Sequence, residues 1–255
     1  APVYGRLPVT PTEGPWSLGD GLDWDGHHRL GRMVPGRVSF WDPPSLAVDS
    51  LLAFAMENEA MPGARVVVAH QGQIVMDKSV GTLDGTQPVT HETVYDLASI
   101  TKVAVTANLL MQRAGNEKLD VDWSLDQIMP QLQDHPLGTR TVREWLTHQT
   151  GLEAWIPFYQ RALEDSSGVF GTEATDGCAI AITDSLFLED VYLDSVRAMI
   201  LSAELKPAGE YKYSDLGFYL LHDALEGTGM EVAQWVQDEM VQRMGWTSMG
   251  YNPLE

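Results

Sequence analysis

The spacing of hydrophobic residues changes several times along the chain, and each change marks a predicted element. An apolar, β-branched run covers residues 64–70, and a second covers 73–78. The Gln71-Gly72 pair between them is typical of a tight turn, so the two runs predict a β-hairpin. A helix is predicted before the hairpin, with Ser45 as its N-cap after two prolines and Met61-Pro62-Gly63 as its stop.

Helical spacing dominates after residue 93. The sequence Thr93–Leu97 predicts a short extended segment, and 153–190 predicts an irregular insertion or lid, because it lacks periodicity and is rich in Gly, Ser, Thr and acidic residues. Helices are predicted from Ser99 to near Gly115, at 141–146 with a Thr141–Glu144 capping box, at 194–205, at 216–226 and at 231–244. The predicted class is α+β: an antiparallel sheet with flanking helices and a mostly helical lobe.

Composition and charge exclude several kinds of function. The 255 residues are 44% hydrophobic and 20% charged, which is typical of a globular chain with a sizeable core. The net charge of -20 argues against binding nucleic acid or anionic lipid through a basic surface. No apolar run is long enough for a transmembrane segment.

Cysteine and histidine usage adds little chemistry. Cys178 is the only cysteine, so no disulfide can form within the chain. No Cys/His cluster has zinc spacing, and no metal or other cofactor is predicted. Residues 1–43 are rich in Gly, Pro and Trp and are predicted to be an N-terminal extension or linker, with the folded domain over 44–255.

Candidate chemistry centres on Ser99 and Lys102. Residues three apart share a helix face, so a lysine amine here would lie near a serine hydroxyl and could activate it as a nucleophile. The start of a helix also favours developing negative charge. The alternative is that Ser99 is a plain N-cap and Lys102 a solvated helix residue, and this pair alone leaves both interpretations open.

Two further segments, taken together with this pair, resemble the motifs of a known family. In order, Ser99–Lys102, Trp145–Leu152 and Gly209–Gly217 resemble motifs of the serine β-lactamase and penicillin-binding-protein superfamily. The branch they resemble contains class C β-lactamases, esterases and D-alanyl-D-alanine peptidases. The resemblance covers about residues 45–255 and includes Lys118–Asp122, although the family often has glycine where Glu117 stands.

The resemblance implies roles for individual residues. It assigns the nucleophile to Ser99, its proton acceptor to Lys102 and the shuttle of the proton to the leaving group to Tyr213. Asp215 stands where the family has asparagine, and its charge beside Lys102 biases the site against β-lactam chemistry. The segment of His148 is mainly structural in the family, and Tyr213 has the alternative role of a half-buried aromatic residue.

The implied reaction is two-step acyl transfer on an ester, an amide or a D-amino-acid peptide, with a small-molecule or peptidoglycan-derived substrate. One oxyanion donor would be the Ser99 amide and the other an amide of a sheet-edge strand. The family's Lys/His-x-Gly strand motif does not occur after Tyr213. We therefore expect the fold to be incomplete at the C-terminus, a further C-terminal segment or second chain to complete the sheet, and this chain alone to be weakly active or inactive.

The first residues carry a second resemblance. Tyr4–Thr10 is similar to the closing segment of family-three glycoside hydrolases of the β-N-acetylglucosaminidase type, which implies a glycosidase fused upstream and a bacterial cell-wall setting, periplasmic or secreted. A plain N-terminal extension is the alternative. A different functional class also remains open: a non-catalytic module that binds cell-wall fragments or is attached to the glycosidase.

Overall fold

A computed structural model gives the structure of the chain. It describes residues 3–4, 23–24, 31–32, 42–70, 72–116, 118–164, 168–183, 185–246 and 248–250. The chain divides into two compact units, residues 1–93 and 94–255. Most of the predicted extension, including 5–10 of the glycosidase-like segment, lies outside the described residues, as do Gln71 and Glu117. The boundary after residue 43 therefore stays a prediction.

The first unit contains the predicted hairpin. Its elements are β1 (Val3–Tyr4), β2 (Asp23–Trp24), β3 (Gly31–Arg32), α1 (Asp42–Glu57), β4 (Gly63–His70) and β5 (Gln73–Gly81). β4 and β5 pair antiparallel along their whole length, which confirms the hairpin, and β3 joins β5 in parallel. The prediction of Ser45 as N-cap is wrong: α1 begins at Asp42, because proline is tolerated in the first turn of a helix.

The second unit is mostly helical. Its helices are a π-helix (Lys102–Ala107), α2 (Asn108–Gly115), α3 (Val142–Leu146), α4 (Phe158–Glu164), α5 (Asp190–Leu201), α6 (Leu216–Gly227), α7 (Val232–Trp235) and a second π-helix (Val236–Gln242). Two short 3₁₀ turns lie at Leu125–Gln127 and Pro130–Leu132. None of the helices in the described ranges is both long enough and apolar enough to cross a bilayer.

The core of this unit forms around α6. Its apolar residues follow helical spacing and are almost fully buried: Leu216, Leu220, Leu221, Ala224 and Leu225. Trp145 of α3 is 1% exposed and packs where α6 carries Gly217, whose added Cβ would lie 3.3 Å from the indole ring. This close approach fixes the end of α3 against the start of α6. The segment that follows α3 and the segment that precedes α6 carry residues of the candidate site described below.

Several predicted elements differ from the structure. The segment 153–190, predicted to be irregular, contains α4 and an antiparallel sheet of β6 (Phe170–Gly171), β7 (Ile180–Thr183) and β8 (Leu186–Leu188) in the order β6-β8-β7. Strands of two to four residues are too short to show alternation in sequence. Thr93–Leu97 forms no strand, and α5 begins at Asp190 rather than Asp194. The capping box at Thr141 is present as predicted.

Candidate active site

A single turn brings Ser99 and Lys102 together. The Lys102 amide donates to the Ser99 carbonyl at 3.1 Å, and Lys102 Nζ donates to Ser99 Oγ at 3.0 Å. Ala98, immediately before the serine, has φ 43°, a left-handed conformation that is strained for any residue with a Cβ. The Ala98 amide donates a hydrogen bond to Asp96 Oδ1 at 2.7 Å. The turn therefore presents the hydroxyl to the amine from a strained backbone.

Lys102 is the centre of the site. Its side chain is 15% exposed, and Nζ lies 2.6 Å from Asp215 Oδ1. The same nitrogen is 5.4 Å from the centre of the Tyr213 ring and 5.6 Å from that of Phe218. These distances place the ammonium among one hydroxyl, one carboxylate and two aromatic rings.

Tyr213 and Asp215 reach Lys102 because two distant segments, 148–154 and 206–215, lie side by side. Four backbone hydrogen bonds join them: Lys206 N to Gly151 O at 2.9 Å, Gly209 N to Gln149 O at 2.9 Å, Lys212 N to His148 O at 2.9 Å, and Asp215 N to Ala154 O at 2.8 Å. Gly151 has φ 86°, and a Cβ there would lie 2.1 Å from Lys206 O. Only glycine allows this approach.

Glu153 ties the same segments together through side chains. Its carboxylate pairs with Lys212 and, at 3.2 Å, with Lys206, and its carbonyl accepts a hydrogen bond from Ser214 Oγ at 2.6 Å. The hydrogen bond from Lys212 is the first of the causes that lower the pKa of Glu153. Sequence analysis missed this residue because its two lysine partners lie more than fifty positions later.

His148 supports Tyr213 directly. The two rings are 4.5 Å apart and tilted by 35°, and the Ser214 amide donates to His148 Nδ1 at 3.1 Å. Burial lowers the pKa of His148. An unprotonated Nδ1 is also what the Ser214 amide requires, so the hydrogen bond and the burial both favour the neutral imidazole. Its backbone has φ 56°.

The charge of Lys102 follows from its neighbours. Burial acts to lower the pKa of Lys102, but the neighbouring Asp215 carboxylate and the Tyr213 side chain outweigh it and raise the pKa above its usual value. An ammonium donates to Ser99 Oγ and cannot accept its proton. The geometry therefore supports nucleophilic chemistry only in the fraction of molecules in which Lys102 is neutral.

All five predicted site residues lie in one place: Ser99, Lys102, His148, Tyr213 and Asp215. Their roles stay predictions. The expected second wall of an oxyanion hole is not seen in the described residues after Tyr213, which form helices and no strand as far as residue 250. Within the same described ranges, no three acidic, His or Cys side chains are grouped so that they could hold a metal ion.

Comparison with known families and proteins gives consistent matches. The Beta-lactamase family model matches residues 48–255. The chain is 28% identical over 211 residues to a putative D-alanyl-D-alanine carboxypeptidase of Escherichia coli K12, covering 76% of this chain and 44% of that protein. It is 24% identical over 210 residues to an N-acetylmuramyl-L-alanine amidase of Bacillus subtilis, covering 76% and 43%. The chain thus spans less than half the length of these curated relatives.

Solved structures show the same fold. A class C beta-lactamase superposes with a TM-score of 0.60 at 19% identity, over 83% of this chain and 52% of that one. A D-alanine carboxypeptidase from Burkholderia cenocepacia superposes with a TM-score of 0.57 at 17% identity, over 81% and 50%. At such identities the likeness shows the fold alone, and it confirms the predicted α+β, β-lactamase/transpeptidase-like class.

Proposed function

Because the chain belongs to the Beta-lactamase family, we propose that it carries the acyl-transfer site of a serine hydrolase, with Ser99 as the nucleophile. One observation carries this proposal: Lys102 Nζ lies 3.0 Å from Ser99 Oγ, within reach for proton transfer. The family relationship supports a hydrolase in general. The substrate and the activity of this particular chain are part of the proposal.

The proposed reaction begins with neutral Lys102. Its Nζ lone pair takes the hydroxyl proton as Ser99 Oγ forms a bond to the substrate carbonyl carbon, and the carbonyl π pair moves to oxygen. When the tetrahedral intermediate collapses, the bond to the leaving group breaks. The proton passes through the Tyr213 hydroxyl to that group. Water then repeats the sequence on the acyl-enzyme, releases the acid and restores Ser99.

The developing oxyanion requires donors in fixed positions. The Ser99 amide at the start of the helical stretch is one of them in this proposal. A further C-terminal segment or a second chain supplies the other from a sheet-edge strand. Removing one such donor costs on the order of a hundredfold or more in rate, so the chain alone is weakly active or inactive without that partner.

The substrate class we propose is an ester, an amide or a D-amino-acid peptide, including peptidoglycan-derived fragments. The carboxypeptidase and amidase names of the relatives support acyl compounds of this kind. Asp215 stands where the family has asparagine, and because esterase-like members of the family tolerate such changes, we propose these substrates ahead of β-lactams.

A fluorophosphonate probe tests the proposal in the full-length protein. We expect covalent labelling of the wild type that disappears in Ser99→Ala and persists in Ser202→Ala, a matched change at an exposed serine near the end of α5. Absence of labelling, or labelling that survives in Ser99→Ala, contradicts the proposed role of Ser99.

A second candidate is a non-catalytic module that binds cell-wall fragments. The Lys102–Asp215 ion pair favours it, because a lysine held as an ammonium does not accept a proton. Saturable binding of a soluble peptidoglycan fragment, with no covalent labelling of Ser99 between pH 7 and pH 10, would support this candidate over the enzyme.

The N-terminal resemblance adds a proposal about context. An upstream β-N-acetylglucosaminidase would make residues 1–43 a tail and linker, in a periplasmic or secreted bacterial protein. We expect no acetylglucosaminide cleavage by this chain itself. Limited proteolysis of the full-length protein tests the boundary, with cleavage expected before residue 44 and protection after it.

A further inference from the structure

The carboxylate of Asp215 is partly exposed and partly buried. Its side chain is 42% exposed as a whole, but Oδ1 is shielded from solvent and has no well-angled hydrogen bond among the described residues. The ammonium of Lys102 at 2.6 Å is what compensates this buried oxygen. A buried anionic oxygen without a partner is costly, so the pairing stabilises both charges together.

The groups that face Lys102 reinforce this charge state. Asp215 and Tyr213 approach from the segment before α6, His148 lies behind Tyr213, and Ser99 lies one turn earlier on the lysine's own segment. Among these, Asp215 is the one carboxylate, and the imidazole of His148 is favoured in its neutral form. No second cation is therefore present among these neighbours to compete with the lysine for Asp215.

Tyr213 offers no equivalent substitute for the ion pair. Its side chain is 41% exposed, and the Lys102 nitrogen lies 5.4 Å from its ring centre. Tyr213 also acts to keep Lys102 protonated, and the Asp215 carboxylate is the larger of these two influences.

We propose that Asp215 is a protonation lock, which holds Lys102 as an ammonium bridging Ser99 and Asp215 in the resting site and so restrains acylation near neutral pH. The kinetic part of this proposal rests on the proposed function. The lock opens as pH rises and the ammonium loses its proton. Asp215 thus sets the pH at which the site works, and it is a positioning residue rather than a group that touches the substrate.

Asp215→Asn removes the charge and keeps the size of the side chain. Without the carboxylate, burial is opposed only by the smaller influence of Tyr213, and we expect the pKa of Lys102 to fall by at least one unit. Below the lysine pKa, each unit of that fall makes the neutral amine about tenfold more abundant. The rate of acylation at pH 7 should therefore be about tenfold higher or more in Asp215→Asn than in the wild type. At alkaline pH the rates of the two proteins should become equal.

The lysine charge can be measured without any activity. The full-length protein is labelled with ¹³C-lysine, and the Lys102 signal, identified by its absence in Lys102→Arg, is titrated by NMR from pH 6 to pH 11. The wild type should titrate late and Asp215→Asn at least one pH unit earlier. Glu210→Gln, which removes a charge from an exposed position in the same segment, should titrate with the wild type. Equal titration of Asp215→Asn and wild type would overturn the lock.

Fluorophosphonate labelling rates of the same variants over the same pH range test the kinetic part. The lock is supported if the labelling rate rises at lower pH in Asp215→Asn than in the wild type, and at the wild-type pH in Glu210→Gln. Ser99-dependent labelling with the same profile in all three proteins overturns the lock and leaves the proposed function standing. An earlier titration in the NMR experiment without any labelling supports the protonation part and contradicts the proposed function.

Discussion

The two halves of the candidate site are built in different ways. Ser99 and Lys102 lie in one turn, joined by a backbone and a side-chain hydrogen bond between neighbours three residues apart. Tyr213 and Asp215 reach the same place only because the segment 206–215 lies beside 148–154. The first half is a local structure and the second depends on contacts between distant residues. Changes far from the chemistry should therefore disturb the tyrosine before they disturb the nucleophile.

Gly151→Ala should have the largest effect on this long-range half. A Cβ would lie 2.1 Å from Lys206 O at a residue with φ 86°, so the two segments must separate. We expect the free energy of unfolding to fall by about 3 kcal/mol, measured by urea denaturation.

Gly209→Ala is the matched control. Gly209 also has a positive φ, 92°, but an added Cβ there meets nothing within 4 Å. Backbone strain alone should cost about 1 kcal/mol. Equal losses in the two variants would show that the close approach of the segments at Gly151 does not matter.

His148→Asn should have the next largest effect, by removing the ring that packs on Tyr213. Asparagine tolerates the left-handed backbone and can accept the Ser214 amide, so the change isolates the loss of ring packing. We expect Ser99 labelling to slow by about tenfold, which corresponds to about 1.4 kcal/mol. His222→Asn on α6 should label at the wild-type rate, and a His148→Asn rate that is also unchanged would remove the positioning role.

His148 should also make the stability of the protein depend on pH. The pKa of His148 is lowered from 6.5 by burial, so the folded state binds fewer protons than the unfolded state just below pH 6.5. The unfolding free energy should therefore decrease as pH falls through this range. His148→Asn should show a shallower decrease than the wild type in urea denaturation between pH 7 and pH 5, and parallel curves would contradict the assignment.

Ala98→Gly tests the local half and should have the smallest effect. Glycine relieves the left-handed strain at φ 43°, so we expect the unfolding free energy to rise by about 1 kcal/mol. The same change at Ala198, inside helix α5, should lower it by about 1 kcal/mol. A loss at both positions would mean that Ala98 stores no strain.

The contrast between local and long-range structure also explains what sequence could predict. The hairpin, the helix at 216–226, the capping box at Thr141 and the Ser99–Lys102 pair all depend on residues close in sequence, and each was predicted. Tyr213 was reached only through its resemblance to a family motif. Glu153 gave no signal, because its importance comes from lysines that the fold brings to it.

Other errors came from competing local preferences. The helix was predicted to begin after the two prolines, with Ser45 as its N-cap, yet the prolines fit in the first turn of α1, which begins at Asp42. The segment 153–190 was predicted to be irregular because its strands are too short to alternate, although β6, β7 and β8 form a sheet there. The strain at Ala98 and the geometry of the Lys102–Asp215 ion pair arise from the three-dimensional fold and cannot be deduced from residue patterns.

The central claim is that Ser99 becomes acylated. Intact-mass spectrometry after brief exposure of the full-length protein to an activated ester, followed by peptide mapping, tests it most directly. The account predicts one added acyl group on the peptide containing Ser99, formed faster in Asp215→Asn at pH 7 and absent in Ser99→Ala. An acyl group on any other residue, or none in either protein at any pH up to 10, would contradict it.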